Sequence, residues 1–219
     1  MTNFIQRISG SISKEECNTV IDFFETNEQR QEEGIVGSDR RVDPKAKIDT
    51  EMHIGLKELV EDSRLNPVAR ELKNACDRYN ENYPFLSKLT PWNIYDSFKI
   101  QKYNPNEAYF AEHCENGGEI DGFSERRLIA LMVYLNTVTD GGQTHFPTQN
   151  ISFSPKVGDI LMWPAYWTHP HHGIPSRTQT KYIITGWYVF VESEKIYNTT
   201  LEPHLCKLND HESQHNYTT

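Results

Sequence analysis

The sequence predicts an α+β fold, with helices first and a double-sheet antiparallel barrel of jelly-roll type second. Three observations predict it. Capping signals and helical periodicity are confined to residues 1–90, whereas from Trp92 onward short apolar runs alternate with turn residues, as in packed or closed antiparallel sheets. Two groups of metal-ligand residue types, His113-Cys114-Glu115 and His169-Pro170-His171-His172, flank this strand-like sequence. The chain of 219 residues, with 37 % hydrophobic and 24 % charged residues, fits one domain able to bury a core.

Taken in order, Ser13-Lys14-Glu15-Glu16 is a capping box, followed by Cys17, Val20, Ile21 and Phe24 on one helical face, so a helix is expected near 13–26. Residues 27–50 are polar and broken by Gly34, Gly37 and Pro44; they read as a long loop or loose edge of the kind that covers sites. Residues 51–62 are weakly helical. Asn66-Pro67 then supplies an N-cap and a first-turn proline for a helix carrying Leu72, Cys76, Tyr79 and Tyr83, which Pro84 ends.

In the second half, Phe98 and Ile100 alternate with Lys99 and Gln101 before Tyr103. Asn116-Gly117-Gly118 and an acidic loop to Glu125 lead into Leu128–Leu135, an apolar run suited to a central strand buried on both faces. Asp140 to Thr144 and Pro155 to Asp159 are turns around short strands at Ile151–Phe153 and Ile160–Trp163, and Tyr182–Val191 is the last strong strand. Trp163, Trp167 and Trp187 are expected in the core or a pocket wall. The single domain is therefore expected to occupy 1–191, with a helical part over 1–90 and the β core over 91–191; residues 192–219 form a polar tail. The tail's His204, Cys206, His211 and His215 lack the paired spacing of a zinc site.

Composition also excludes. A net charge of −9 argues against long duplex nucleic acid. The N-terminus has no apolar signal core, and no window reaches the ~18 apolar residues of a membrane span. Four scattered cysteines are no disulfide framework, and a reducing, cytoplasmic location is expected. The oligomeric state is not legible.

If residues 113–115 are extended, His113 and Glu115 point the same way, since strand side chains repeat every second residue. Two histidines and one carboxylate form the facial set that holds Fe(II) with open positions. In the second group, His169 and His171 share a face of an extended segment while His172 points away. A His-x-Glu pair alone is usually surface chemistry. Joined to a distal His, and to Lys181 in the otherwise apolar run Tyr182-Ile183-Ile184, it becomes a candidate site.

Over residues 99–191 the chain resembles the prolyl 4-hydroxylase-like branch of the Fe(II)/2-oxoglutarate dioxygenases. The residues that carry this are Tyr103, His113-x-Glu115, Arg127 with Tyr134-Leu135-Asn136, Gly141-Gly142-x-Thr144-x-Phe146, Pro155-x-x-Gly158-Asp159, His171-x-x-x-Pro175, Lys181 and Trp187. The resemblance implies a double-stranded β-helix with the N-terminal helices packed on one sheet. It also implies His113, Glu115 and His171 as catalytic iron ligands, with His169 nearby but outside them. Lys181 would bind the distal carboxylate of 2-oxoglutarate with Tyr103, while Arg127 and Trp187 would line the substrate side. O2 would be consumed, ascorbate would be the reductant, and the substrate would be a prolyl residue in a peptide or protein, or a small molecule such as free proline. The chain departs from the family in having Glu115 where Asp is usual, one extra residue between Tyr103 and His113, which brings Tyr109 into competition with Tyr103, and clustered histidines at the second ligand. A cupin-like metal protein, isomerase or non-catalytic, leaves Lys181 unexplained; a dioxygenase-fold binding module without turnover is the other alternative.

Overall fold

The computed structural model describes residues 3–37, 39–117 and 124–191, so the expected tail and part of the acidic loop lie outside the described residues. Ser13 caps the first helix as its sequence position predicts: its hydroxyl accepts from the Glu16 amide, and the Glu16 carboxylate accepts from the Ser13 amide. Strand β1 (Gln6–Ile8) precedes that helix, α1 (Lys14–Glu25), which buries Cys17, Val20, Phe23 and Phe24. The polar stretch after it is only partly a loop. It contains β2 (Glu32–Glu33), a bridge between Val36 and Arg41, and the start of β3 (Thr50–Ile54).

Strand β3 corrects the weak helical reading of residues 51–62, because only α2 (Leu56–Glu61) is helical there. Pairing with the neighbouring strand β5 (Phe98–Tyr103) overrides local propensity. Met52 and Ile54 enter the core while Glu51 and His53 face the other way. Helix α3 (Asn66–Asn82) has Leu65, not Asn66, at its N-cap; the Asn66 amide instead donates to the Val60 carbonyl at 2.6 Å, closing the turn from α2.

The remaining strands are β4 (Trp92–Ile94), β6 (Arg127–Tyr134), β7 (Thr144–Phe146), β8 (Ile151–Phe153), β9 (Ile160–Pro164), β10 (His172–Gly173) and β11 (Lys181–Phe190). They form a large antiparallel sheet in the order β1-β9-β6-β11-β5-β3-β2, with β4 also on β11, and a small sheet in the order β10-β7-β8. The apolar run in β6 has two destinations. Ile129, Leu131 and Val133 join Cys17, Val20 and Phe24 of α1 and Leu72, Cys76 and Tyr79 of α3 in one cluster. Ala130, Met132 and Tyr134 join Phe146, Leu161, Trp163 and Ile183 in a second cluster between the sheets. Burial of each such Leu, Ile or Phe side chain contributes ~1.5–3 kcal/mol, and β6 supplies both clusters because neither of its faces meets water.

Two tethers fix the large sheet relative to its ends. The Asp159 carboxylate pairs with Arg7 and accepts from the Gly10 amide at 2.9 Å, holding the β1 end against the turn into β9. Gly158 in that turn has φ +79, and a Cβ there would meet the Ile12 carbonyl oxygen at 1.9 Å, so the position needs glycine on both counts. Among the described residues Cys17 is a buried free thiol and Cys114 a partly buried one. Among the described residues no helix is long and apolar enough to cross a membrane.

Candidate metal centre

His113 and His171 are brought together by backbone. Each donates its amide to the other's carbonyl, at 3.0 and 2.8 Å, forming an isolated bridge beside the small sheet. Each ring is then oriented by its Nδ1, which lies 2.9 Å from the Ala111 carbonyl in His113 and 3.1 Å from the His169 carbonyl in His171. With a proton on Nδ1, Nε2 is left as the ligand atom, as in other metal-binding histidines. Phe146 and Trp163 pack on His171 with ring centroids 5.3 and 5.0 Å away, and Tyr109 stacks on His113 at 3.7 Å.

Glu115 completes the set. Its Oε1 is 3.3 Å from His171 Nε2 and 3.9 Å from His113 Nε2, and one ligand atom from each residue lies within 4.8 Å of the other two. The other oxygen, Oε2, accepts from the Trp187 indole N–H at 2.8 Å. Arg127 donates to the Glu115 carbonyl at 2.8 Å and stacks on Trp187 with its guanidinium carbon 4.0 Å from the ring centroid. This division of labour bears on the longer carboxylate: one oxygen is held by Trp187, and the other faces the histidines.

Electrostatics favours the protonation states that a divalent cation needs. Burial alone would raise the Glu115 carboxyl, but the His171 hydrogen bond and the nearby His113 and Arg127 outweigh it and hold it well below the usual range. Burial, reinforced by His171, lowers His113 to about 4. A carboxylate and a neutral imidazole are therefore the states at neutral pH, and this donor set fits Fe(II).

The ligands line a cavity of about 500 Å³ that also includes Tyr103, Tyr109, Arg127, His172, Lys181 and Trp187. Lys181 opens β11 opposite Tyr103 and is 5 % exposed. Its ammonium lies 4.6 Å from the Tyr103 ring centroid, and among the described residues its one hydrogen-bond acceptor is the Gly142 carbonyl at 3.3 Å. Burial lowers its pKa to about 8 against the opposing pull of Asp49. Asn136 sets this end of β11: its side chain donates to the Thr180 carbonyl at 2.7 Å and accepts from the Tyr182 amide at 2.8 Å. The Tyr103 hydroxyl accepts from Gln101 Nε2 at 3.1 Å; burial first, and then the Asp49 carboxylate, push its pKa well up.

Several expectations need correction. His169 lies outside the ligand group as expected, but its role is different in kind: its Nε2 lies 2.8 Å from the Asn3 carbonyl and its Nδ1 lies 2.9 Å from the Thr168 hydroxyl, so it braces the N-terminal segment. His172 does not point away: it lines the cavity and meets His145 across β10 and β7 at 5.2 Å. Strict alternation fails because residues 166–169 form a turn, and the extended part, His172–Gly173, begins only after Pro170 and the bridge at His171. Trp167 is 77 % exposed and lies in neither core nor wall. Sequence reasoning missed that Lys47 and Lys99 line the same cavity, ion-paired there with the buried Asp49 and Glu51. The spacing of two residues through Lys47, Asp49 and Glu51 was a signal, but it reads equally as a solvent face.

Residues 98–189 match the sequence profile of the 2OG-Fe(II) oxygenase superfamily. The chain is 28 % identical over 141 residues to a protein of Acanthamoeba polyphaga mimivirus named "Putative prolyl 4-hydroxylase", a match covering 58 % of this chain and 54 % of that one. It is also 28 % identical over 118 residues to "Probable prolyl 4-hydroxylase 3" of Arabidopsis thaliana, covering 40 % and 38 %. The chain thus spans about half, or less, of the length of the curated relatives it matches. Among solved structures, it superimposes on a viral collagen prolyl hydroxylase of Paramecium Bursaria Chlorella virus-1 in its 2OG complex, with TM-score 0.65, 20 % identity and coverage of 86 % and 97 %. It likewise superimposes on a Trichoplax adhaerens prolyl hydroxylase in complex with a hypoxia inducible factor oxygen degradation domain peptide, with TM-score 0.67, 18 % identity and coverage of 86 % and 84 %. At these identities the likeness is one of fold, and it identifies the two-sheet architecture as the jelly roll of these oxygenases.

Proposed function

We infer that this chain, which is a prolyl 4-hydroxylase-like member of the 2OG-Fe(II) oxygenases, is an Fe(II)- and 2-oxoglutarate-dependent hydroxylase acting on prolyl residues of a peptide or protein. The observation that carries the reading is the enclosure of His113, Glu115, His171 and Lys181 in one cavity. A bound Fe(II), with 2-oxoglutarate and O2, would supply the oxidation of an unactivated C–H bond, 2-oxoglutarate leaving as succinate and CO2.

The chain's own residues do the rest. His113 Nε2, His171 Nε2 and Glu115 Oε1 hold the metal, while Trp187 and Arg127 keep Glu115 from turning its second oxygen inward. A facial set of three protein ligands leaves the other positions open. Lys181 meets the distal carboxylate of 2-oxoglutarate, because a buried anion needs a cation and hydrogen-bond donors, and this ammonium has donors to spare. Tyr103 forms the floor under Lys181, and Tyr109, stacked on His113, walls the opposite side. Phe146, Trp163 and Met132 exclude water from this end. The prolyl substrate rests on the names of the relatives.

The test is direct. The purified chain, loaded anaerobically with Fe(II), develops a weak visible charge-transfer band on adding 2-oxoglutarate, and forms succinate under air with ascorbate. Metal binding with neither band nor succinate refutes the dioxygenase reading. A mass-spectrometric screen of proline-containing peptides for a gain of one oxygen addresses the substrate.

A further inference from the structure

Beyond Lys181, the cavity wall is made by the side chains of β5 that alternate with its core residues: Lys99, Gln101 and Tyr103. Along the ladder Tyr103 faces Lys181 and Lys99 faces Thr185. The two lysines are thus four positions apart, or ~13 Å at ~3.3 Å per strand residue. A five-carbon dicarboxylate held by Lys181 does not reach Lys99.

Lys99 belongs to a cluster of buried charges. Lys47 Nζ lies 2.6 Å from Glu51 Oε2 and 3.0 Å from Asp49 Oδ2, so two carboxylates satisfy it. Among the described residues Lys99 pairs only with the other Glu51 oxygen, Oε1, at 2.7 Å, and its side chain is 16 % exposed on the cavity. Its cross-strand neighbour His53 also lines the cavity; His53 Nε2 makes no hydrogen bond and lies 3.6 Å from Glu51 Oε1. Arg40, from the bridged turn ahead of β3, lines the same wall. Three basic side chains therefore line the cavity, and two of them, Lys99 and His53, lie around one carboxylate oxygen, Glu51 Oε1. Buried ion pairs add little to stability compared with apolar packing. Charges kept on the wall of a functional cavity, with ammonium donors unused, are instead suited to recognise a charged ligand.

We propose that this wall receives a carboxylate of the substrate, and that Lys99 is the residue that selects it. The inference rests on the hydroxylase reading and narrows it: the target is a carboxylate-bearing substrate, not a neutral prolyl segment. The carboxylate belongs either to a free amino acid or to an acidic residue beside the proline, and the test separates the two.

Three probes are used with the Fe(II)-loaded full chain: N-acetylated, amidated Ala-Pro-Asp, the same peptide with Asn for Asp, and free L-proline. Each is followed by gain of one oxygen and by substrate-dependent succinate. The expected result is that the Asp peptide or L-proline exceeds the Asn peptide at least tenfold in kcat/KM. Lys99→Gln removes that advantage through KM while leaving the Asn peptide unchanged, and Lys99→Arg restores it. Activity on the Asp peptide assigns a neighbouring acidic residue; activity on L-proline alone assigns the amino acid's own carboxylate. If Lys99→Gln does not fold, His53→Gln, at a more exposed position, is expected to lower the same preference. Equal use of the Asp and Asn peptides together with no preference for L-proline overturns the proposal, as does an equal loss on all probes in Lys99→Gln, or no response to any probe while the iron–2-oxoglutarate band is normal. A missing band is a different failure: it overturns the hydroxylase reading itself.

Discussion

Lys181 shows how much one side chain can contribute here. Truncating one partner of a buried charge pair costs ~2–5 kcal/mol. Lys181→Ala is therefore expected to weaken 2-oxoglutarate binding at least tenfold by calorimetry while Fe(II) affinity stays nearly intact; unchanged cosubstrate affinity would assign the role to another cation. The pH dependence follows with a definite sign. In the free protein burial sets Lys181 at about 8, and a bound dicarboxylate stabilises the charged form, raising its pKa in the complex. Binding is fully present below about 8 and weakens as pH rises through that value, by up to tenfold per unit. An affinity unchanged one unit above it would contradict the assignment. For the histidines, His171→Ala is expected to abolish Fe(II) binding. His169→Ala should keep the metal and lower activity through the loosened N-terminal segment that it holds at Asn3, and His172→Ala should do little. Metal titration of the variants decides this: an iron-loaded His171→Ala beside a metal-free His169→Ala reverses the ligand assignment.

Between residue and molecule, the elements separate stability from the site. The capping box of α1 lies on the helical side of the large sheet, away from the cavity. Ser13→Ala is expected to cost ~1 kcal/mol in urea unfolding and to leave the KM for 2-oxoglutarate unchanged. The strap that leads into β3 behaves differently. A Cβ on Gly34 would lie 1.6 Å from Asp49 Oδ1, and Asp49 in turn bonds Lys47 and the Gln101 amide beside Tyr103. Gly34→Ala therefore has to move Asp49 or the strap, at ~1–3 kcal/mol for overpacking, and is expected to raise the KM for 2-oxoglutarate as well. A Gly34→Ala protein that loses stability and keeps its KM would show that the charged wall does not support the cosubstrate end.

For the whole molecule, the candidate centre joins segments far apart in sequence: His113 and Glu115 precede β6, whereas His171 follows β9. A ligand that binds only the native arrangement stabilises it by mass action, ~2.7 kcal/mol at a hundredfold excess over Kd. Anaerobic Fe(II) is expected to raise the thermal midpoint of the wild-type chain and not that of His171→Ala. An equal rise in both would place the bound metal elsewhere.

Much of this was legible in the sequence because it is local. Ser13 and Glu16 lie one helical turn apart, and His113 and Glu115 lie two residues apart. The unbroken apolar run in β6 announces a strand with no water on either side. Lys181 stood out in sequence as a charge in an apolar strand, and the structure keeps it buried at the end of β11. Periodicity, however, reports that a strand has two faces without saying what covers each. The alternation of Lys99 and Gln101 with core residues therefore did not show that they line a cavity, and residues 51–54 read as weak helix until β5 offered a partner. His169, two residues from a candidate ligand, became a brace because the N-terminal segment folds back against it, and Trp167 is left 77 % exposed. Local pattern determined the elements and the residue types of the site. The tertiary structure decided which of those residues share a cavity, because that depends on contacts between segments whose separation along the chain carries no local signal.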